Sequence, residues 1–564
     1  MSEATKKKKG KRMKASDLFV RCLEAEGVER IFGIPGEENA DLMISLMDSK
    51  IEFVLCRHEQ AAAFIADVYG RLTGKPGVCL ATLGPGITNL VTGLADANMD
   101  NAPVVAIIGQ GSTQRLHKES HQNMDAIAMC LPISKWAHSI RDAETIPEVL
   151  RKGFKLAQAE KPGVTVIELP EDIAKDPVSL GPMKVYTTRR PGADHKATDQ
   201  AVETLVAAKN PIILAGNGSI RKRAAAQLYR LAQKTGIPIV NTFMAKGAVP
   251  MDDEFSLFTM GLQAKDYVNH AFDKIDVVLT VGYDLVEYSP HFWNANEDKT
   301  IIHVDFLPAE IDHHYTVEVD VVGDIADALW QINIKLEQDY ASHLPLHDIG
   351  KWQKLRKQIL RDFAMDKDDK SYPMKPQKIL WDVREVMGAD DVLLSDVGAH
   401  KMWISRYYQC YTPNTCLISN GFCTMGFALP GSIGAKLARP DVNVLSISGD
   451  AGFMMNVQDL ETAVRLGINA VFMVWEDGEY GLIKWKQQAQ FNGKHSDLKF
   501  TNPDWTLLAK SFGMWGREVK KATDLKPTLK EAFKQKGPAL IAVKVDYGEN
   551  MKLTKRLGEI EVSI

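Results

Sequence analysis

The 564-residue sequence contains no stretch of about 18 consecutive apolar residues, the length a membrane-crossing helix needs. Its N-terminus lacks the apolar core of a secretion signal. Cysteine is scarce: Cys22, Cys56, Cys79, Cys130, Cys410, Cys416 and Cys423 are scattered and odd in number, and no CxxC pair occurs. That excludes a zinc ribbon or a disulfide framework and fits reduced thiols in a cytoplasmic protein. Charge of one sign is also lacking. A net charge of −4 argues against a dedicated nucleic-acid binder. The exception is MSEATKKKKGKRMK, with seven Lys or Arg in fourteen residues, which reads as a solvated, disordered tail over residues 1–14. No short repeat is visible, so a solenoid is excluded.

Short, β-rich apolar runs alternate with helical patterns along the whole chain. VCLAT (78–82), VVAIIGQ (104–110) and VTVIELP (164–170) come first, PIILAGNG (211–218), VVLTVGYD (277–284) and TIIHVDF (300–306) next. VLLSDVG (392–398), VLSISGD (444–450), AVFMVWED (470–477) and ALIAVKVD (539–546) close the series. Runs that are apolar on both faces suit parallel strands buried under helices. The expectation is an α/β protein with three doubly wound parallel-sheet domains, at 15–186, 197–340 and 377–564. The polar stretch TTRRPGADHKA (187–197) reads as one linker, and the charged span 341–376 as a second that also holds a helix.

The last block carries the sharpest chemistry. VLSISGD ends at Gly449-Asp450, followed by Ala451-Gly452 and a helical pattern with Val457, Leu460, Ala463 and Val464 on one face. The strand AVFMVW then leads into Glu476-Asp477-Gly478-Glu479-Tyr480-Gly481. Asp450 and Asp477, 27 residues apart, fall at the carboxyl ends of two strands, where open α/β sheets bind ligands. Small residues there let backbone approach a phosphate. Two hard oxygen ligands, a carbonyl, a water and two phosphate oxygens would complete an octahedral Mg²⁺. An ordinary βαβ unit with acidic loop ends gives the same pattern.

In the first block, IFGIPG (31–36) precedes FVLCRHEQAAAFIADVYGR (53–71). Glu59 opens a helical pattern that offers Ala62, Ile65, Ala66 and Tyr69 to one face, and a carboxylate is favoured at a helix N-terminus. ATLGPGITNL (81–90) is a Gly-Pro-Gly turn into another helix. A helix-cap glutamate and a tight structural turn are the plain alternatives.

These segments, in this order and over nearly the whole chain, resemble the acetolactate synthase and pyruvate oxidase family of thiamine-diphosphate enzymes. VVLTVGYDLVEYSPHFWN (277–294), TIIHVDFLPAEIDHHY (300–315), KPGVCLATLGPGITNLVTGLADAN (75–98), DLETAVRL (459–466) and VDYGENMKL (545–553) are most similar to the catabolic, FAD-independent synthases. The resemblance implies thiamine diphosphate and Mg²⁺ as cofactors, with no FAD. It implies a pyrimidine-binding first domain, a central domain and a diphosphate-binding last domain. It also implies decarboxylation of pyruvate and its joining to a second pyruvate, giving 2-acetolactate and CO₂. Glu59 is then the carboxyl group against N1′ of the aminopyrimidine. Pro35, Asn89, Ala399, His400, Cys423, Met425, Gly449, Asp450, Ala451, Gly452, Tyr480, Gly481 and Leu482 would contact the cofactor. Met425 would be the apolar wedge between its rings. Asp450, Asp477 and the Glu479 carbonyl would hold the metal. Gln122, His121 and Lys135, from SHQNMD (120–125) and PISKW (132–136), would lie near the reacting atoms. In the family the glutamate and the metal meet across a subunit interface, so a homodimer is the smallest active unit and a homotetramer the expected assembly. No membrane or nucleic-acid partner is implied.

The match departs at four places. The family signature GDG…NN reads GDA with Glu476-Asp477 here. The loop after GIPG carries Glu38 where the catabolic enzymes have lysine, which would change how an anionic substrate is met. Leu482 and Trp485 would line and reshape the pocket. Another thiamine carboligase or 2-keto acid decarboxylase, and a non-catalytic binding paralogue, therefore remain the competing readings.

Overall fold

A computed structural model describes residues 12–551 except 222 and 262–266. Three six-stranded sheets account for most of the strands. The first runs Glu52–Leu55, Arg30–Gly33, Gly77–Ala81, Val104–Gln110, Val164–Pro170, Trp136–Ser139. The second runs Ser256–Thr259, Ile239–Asn241, Pro211–Ala215, Val277–Val281, Thr300–Asp305, Val317–Val322. The third runs Cys416–Ile418, Val392–Ser395, Val444–Gly449, Val471–Glu476, Ala539–Lys544, Trp515–Val519. Every pairing in all three is parallel. In each sheet the chain winds outward both ways from an early strand, so the expected doubly wound α/β class is what forms. The central strands, such as Val104–Gln110 and Val164–Pro170, are buried at every position, as the two-sided apolar runs require.

Compactness divides the chain in two. One unit takes in the chain up to Thr188 with Pro430–Pro440 and Gln458–Leu466; the other holds Arg189–Leu429, Asp441–Val457 and the chain from Gly467 on. Short C-terminal segments therefore belong with the first sheet. Within that unit the Arg57 N–H donates to Asp459 at 3.0 Å, and Arg465 reaches the Leu55 carbonyl. In the second unit, the charged span expected to be part linker contains the helix Gly350–Ala364, whose Trp352, Leu355, Ile359 and Phe363 are buried in the core.

Three expectations need correction. Most of the basic tail lies outside the described residues, but its end is not free: Met13–Lys14 pairs antiparallel with Pro177–Val178. The helix Glu59–Thr73 does not present one face to a core. Ala61 to Gly70 are all buried, because a helix apolar all round must be covered all round. The helical pattern after Asp450 is also not continuous. A helix Asp450–Met455 stops at Asn456, and a second helix spans Leu460–Arg465. The Asn456 amide donates to the Gly426 carbonyl at 2.8 Å, and its backbone leaves the helical region at ψ 25°.

Candidate active site

In the first unit, four loops converge around Glu59. This residue opens the helix Glu59–Thr73 and is 8% exposed; His58 caps the helix, accepting the Gln60 N–H at 3.1 Å. Asn89, on the helix Pro85–Met99, donates its amide to Glu59 Oε2 at 2.9 Å. The turn before that helix needs Gly84. It has φ +56°, and a Cβ there would stand 2.9 Å from Cβ of Gln122. Gln122 itself has φ +56°, a conformation unfavourable for a side chain of its size. Strain of this kind concentrates where a site over-determines the backbone. Gly86 approaches the same centre: a Cβ there would lie 3.0 Å from Thr82 Cγ2 and 3.7 Å from Glu59 Oε1.

Glu38 belongs to this group and is buried. It follows Gly36 in a turn closed by Asn39, whose side chain accepts the Gly36 N–H at 2.9 Å. The Glu38 carboxylate takes the Thr82 hydroxyl at 2.9 Å and Arg115 Nη2 at 3.3 Å. Glu59, Asn89, Glu38 and Gln122 are thus brought together, with Pro35 exposed on the same turn as Glu38. His121, next to Gln122, is exposed. Lys135 does not join them. Its ammonium donates to the carbonyls of Ala159 at 2.7 Å and Lys161 at 2.6 Å, and so pins the end of a helix. That corrects its expected place near the reacting atoms.

The second unit assembles the other group. The helix Ala399–Tyr407 begins beside the strand Val444–Gly449, and His400 packs against the backbone of Gly398 and Gly449; a Cβ on Gly449 would come within 3.4 Å of its ring. Burial drives the imidazole down to about 3, so it is neutral, and its Nε2 is buried without a protein partner. Asp450 is 1% exposed. Its Oδ2 accepts the N–H groups of Asp477 (3.1 Å) and Gly478 (2.7 Å) and the Asn502 amide (2.8 Å). Burial first, then the Asp450 charge, raises the Asp477 carboxyl to about 7. The Glu479 carbonyl accepts the Gly481 N–H at 2.9 Å, while its carboxylate pairs with Lys484. Gly481 lies so close that a Cβ would be 2.7 Å from Asp477 Oδ2. Ala451, the departure from GDG, sits inside the helix Asp450–Met455, where alanine is a favourable residue.

Asp396 was missed from sequence, and it ties this group together. Fully buried, it accepts the Val397 N–H at 2.8 Å and the Gly426 N–H at 2.8 and 3.1 Å. Its Oδ2 would be 2.7 Å from a Cβ on Gly452, so only glycine fits there. One carboxylate thereby ties the 396–400 and 423–427 segments, and the helix Asp450–Met455 packs against it at Gly452. Its own burial raises it to about 7. Cys423, exposed with φ +56°, receives Lys401 at 3.3 Å on its sulfur; Met425 is half-buried. Leu482 and Trp485 pack partly buried on the core from the helix Gly481–Gln490, and Tyr480 is 40% exposed.

The chemistry of the second group fits a diphosphate and a cation. Two carboxylates converge, a carbonyl stands beside them, glycines clear the backbone, and a buried imidazole nitrogen awaits a partner. Among the described residues no cluster of three or more His, Cys, Asp or Glu side chains could hold a metal alone, so part of any coordination shell must come from backbone, water or ligand.

Three family models match the chain in order: the thiamine pyrophosphate enzyme N-terminal TPP binding domain over residues 13–129, its central domain over 198–332, and its C-terminal TPP binding domain over 396–543. The molecule is therefore built as a thiamine pyrophosphate enzyme. An acetolactate synthase of Bacillus subtilis is 36% identical over 99% of this chain and 99% of its own length. A catabolic acetolactate synthase of Raoultella terrigena is 34% identical over 97% of each, and the isozyme 2 large subunit of Escherichia coli is 32% identical over 96% of this chain and 97% of its own. Within the thiamine pyrophosphate enzymes, the chain belongs to the acetolactate synthase family.

Proposed function

We propose that this chain condenses two pyruvates into 2-acetolactate and CO₂, using thiamine diphosphate held through Mg²⁺ and no flavin. The observations that carry the reading are a buried Glu59 held by Asn89 in one unit and, in the other, a crevice where Asp450 and Asp477 stand together. Asp450, Asp477 and the Glu479 carbonyl would hold the metal, and His400 Nε2 would meet the diphosphate. When bound, the cofactor supplies the carbon nucleophile and the electron sink for decarboxylation. Glu59, aimed by Asn89, holds a proton against the aminopyrimidine. Gln122 would present its amide to the reacting atoms, and Met425 would pack against the bound cofactor. Leu482 and Trp485 help exclude the water that would quench the carbon nucleophile as an aldehyde. Two copies form the smallest active unit, and two such pairs a tetramer. The free cysteines support a reducing compartment, the cytoplasm. Among the described residues no helix is long and apolar enough to cross a membrane.

The test gives purified protein pyruvate, Mg²⁺ and thiamine diphosphate without flavin. Acetolactate, read as acetoin after acid treatment, is expected at one per two pyruvates. Acetaldehyde in its place would make the protein a decarboxylase, and flavin-dependent pyruvate loss with peroxide in place of acetolactate would make it an oxidase.

A further inference from the structure

Burying Glu38 is costly unless it is paired, and the structure pairs it with a specific cation. Arg115 Nη2 lies 3.3 Å from Glu38 Oε1 and 3.5 Å from Glu171 Oε1. Both contacts use one terminal nitrogen. A guanidinium carries five N–H groups in a rigid plane, so fixing one nitrogen aims the rest. Nε and Nη1 take no part in these two pairs. The group is seated over Gly111, where a Cβ would come within 2.6 Å of Nε. The Arg115 side chain remains 30% exposed, so it is accessible to a small molecule. Glu38 in turn holds Thr82, which abuts Gly86 and through it the Glu59 carboxylate. Two carboxylates, Glu38 and Glu171, would by themselves repel a 2-keto acid anion from this turn.

We propose that Arg115, aimed by Glu38, binds the carboxylate of the 2-keto acid from the turn Thr113–Arg115. Arg115 touches substrate, and Glu38 is its positioning residue. This inference rests on the reading of the site as one that takes a 2-keto acid.

The test uses full-length protein loaded with thiamine diphosphate and Mg²⁺, in wild-type, Arg115→Gln, Arg115→Lys and Glu38→Gln forms. Binding of oxamate, an unreactive isostere of pyruvate, is measured by calorimetry, and the KM for pyruvate in parallel. Arg115→Gln should raise both constants about tenfold or more, as loss of a charge-assisted hydrogen bond does, with kcat changed much less. Arg115→Lys should restore only part of the loss, because the charge returns without the aimed plane. Glu38→Gln should move both constants the same way by about threefold, since the cation stays but is no longer aimed. Thiamine diphosphate affinity should be unaltered in all three, which a merely structural tie would not ensure. Oxamate affinity and KM unchanged in Arg115→Gln, or no oxamate binding by the wild type, would overturn the proposal. Arg115-dependent oxamate binding without acetolactate formation would sustain it while refuting the synthase reading.

Discussion

Two acidic side chains, Glu38 and Asp477, stand at the two candidate groups, and the fold answers them differently. Glu38, in the first unit, is buried but satisfied: it holds the Thr82 hydroxyl and the Arg115 guanidinium. Asp477, in the second, faces another carboxylate, and among the described residues no Lys or Arg forms an ion pair with it. Burial and the Asp450 charge push it to about 7. A carboxylate neutralised by the protein's own cation changes what the pocket offers a substrate. One left against a second carboxylate calls for a cation from outside, and Mg²⁺ with a diphosphate is the chemistry that fits.

The strongest way to break this comparison is at Asp450. Asp450→Ala removes a proposed metal ligand and orphans the N–H groups of Asp477 and Gly478. Mg²⁺-dependent thiamine diphosphate affinity should fall by about a hundredfold or more, beyond the loss usual for groups one step removed from a metal. Calorimetric titration checks this, and unchanged affinity would move the metal elsewhere. In the other region, Glu59→Gln should keep cofactor affinity within a few-fold while turnover drops by about 10² to 10⁴, the range for a lost acid–base group. Steady-state rates at saturating cofactor decide it, and near-normal turnover would refute the proton-holding role.

A smaller effect is expected at Asp396. Asp396→Ala leaves the buried N–H groups of Val397 and Gly426 without their acceptor. At about 1–3 kcal/mol for an unsatisfied buried group, thermal unfolding should occur several degrees lower, with cofactor affinity weakened as the 396–400 and 423–427 loops loosen. An unchanged melting temperature would mean that these loops are held by other contacts. Smallest of all, Asp477→Asn removes one of two facing charges. It should stabilise the metal-free protein by about 1 kcal/mol and narrow the stability gained on adding Mg²⁺. Melting curves with and without Mg²⁺ measure both. Destabilisation of the metal-free form would show that the two carboxylates do not repel.

The sheets were legible because two-sided apolar runs of strand length, such as 104–110 and 164–170, admit few other fates in a chain of this size. The place of Glu59 at the start of a helix and of Asp450 just past the end of a strand was legible as well, because both show in the local pattern. What escaped depends on contacts between distant loops. Asn502 reaches Asp450 across 52 residues, and Arg115 reaches Glu38 across 77. No periodicity records such pairs. Asp396 lies inside the run VLLSDVG (392–398), and nothing in that run records that Gly426 and Gly452 stand against it. Lys135 went the other way, since a lysine near a pocket-lining segment reads as a candidate until its ammonium is seen on two carbonyls. The break at Asn456 escaped for the same reason: the local pattern is helical, and a tertiary hydrogen bond overrides it.

The most direct test of the central claim is a titration of chelator-treated protein with thiamine diphosphate, followed by calorimetry, with and without Mg²⁺. The account predicts saturable binding with Mg²⁺ and little or none without it. Equal affinity in both conditions would contradict it, because the diphosphate would then be held by the protein alone and the Asp450–Asp477 crevice would not be a metal site.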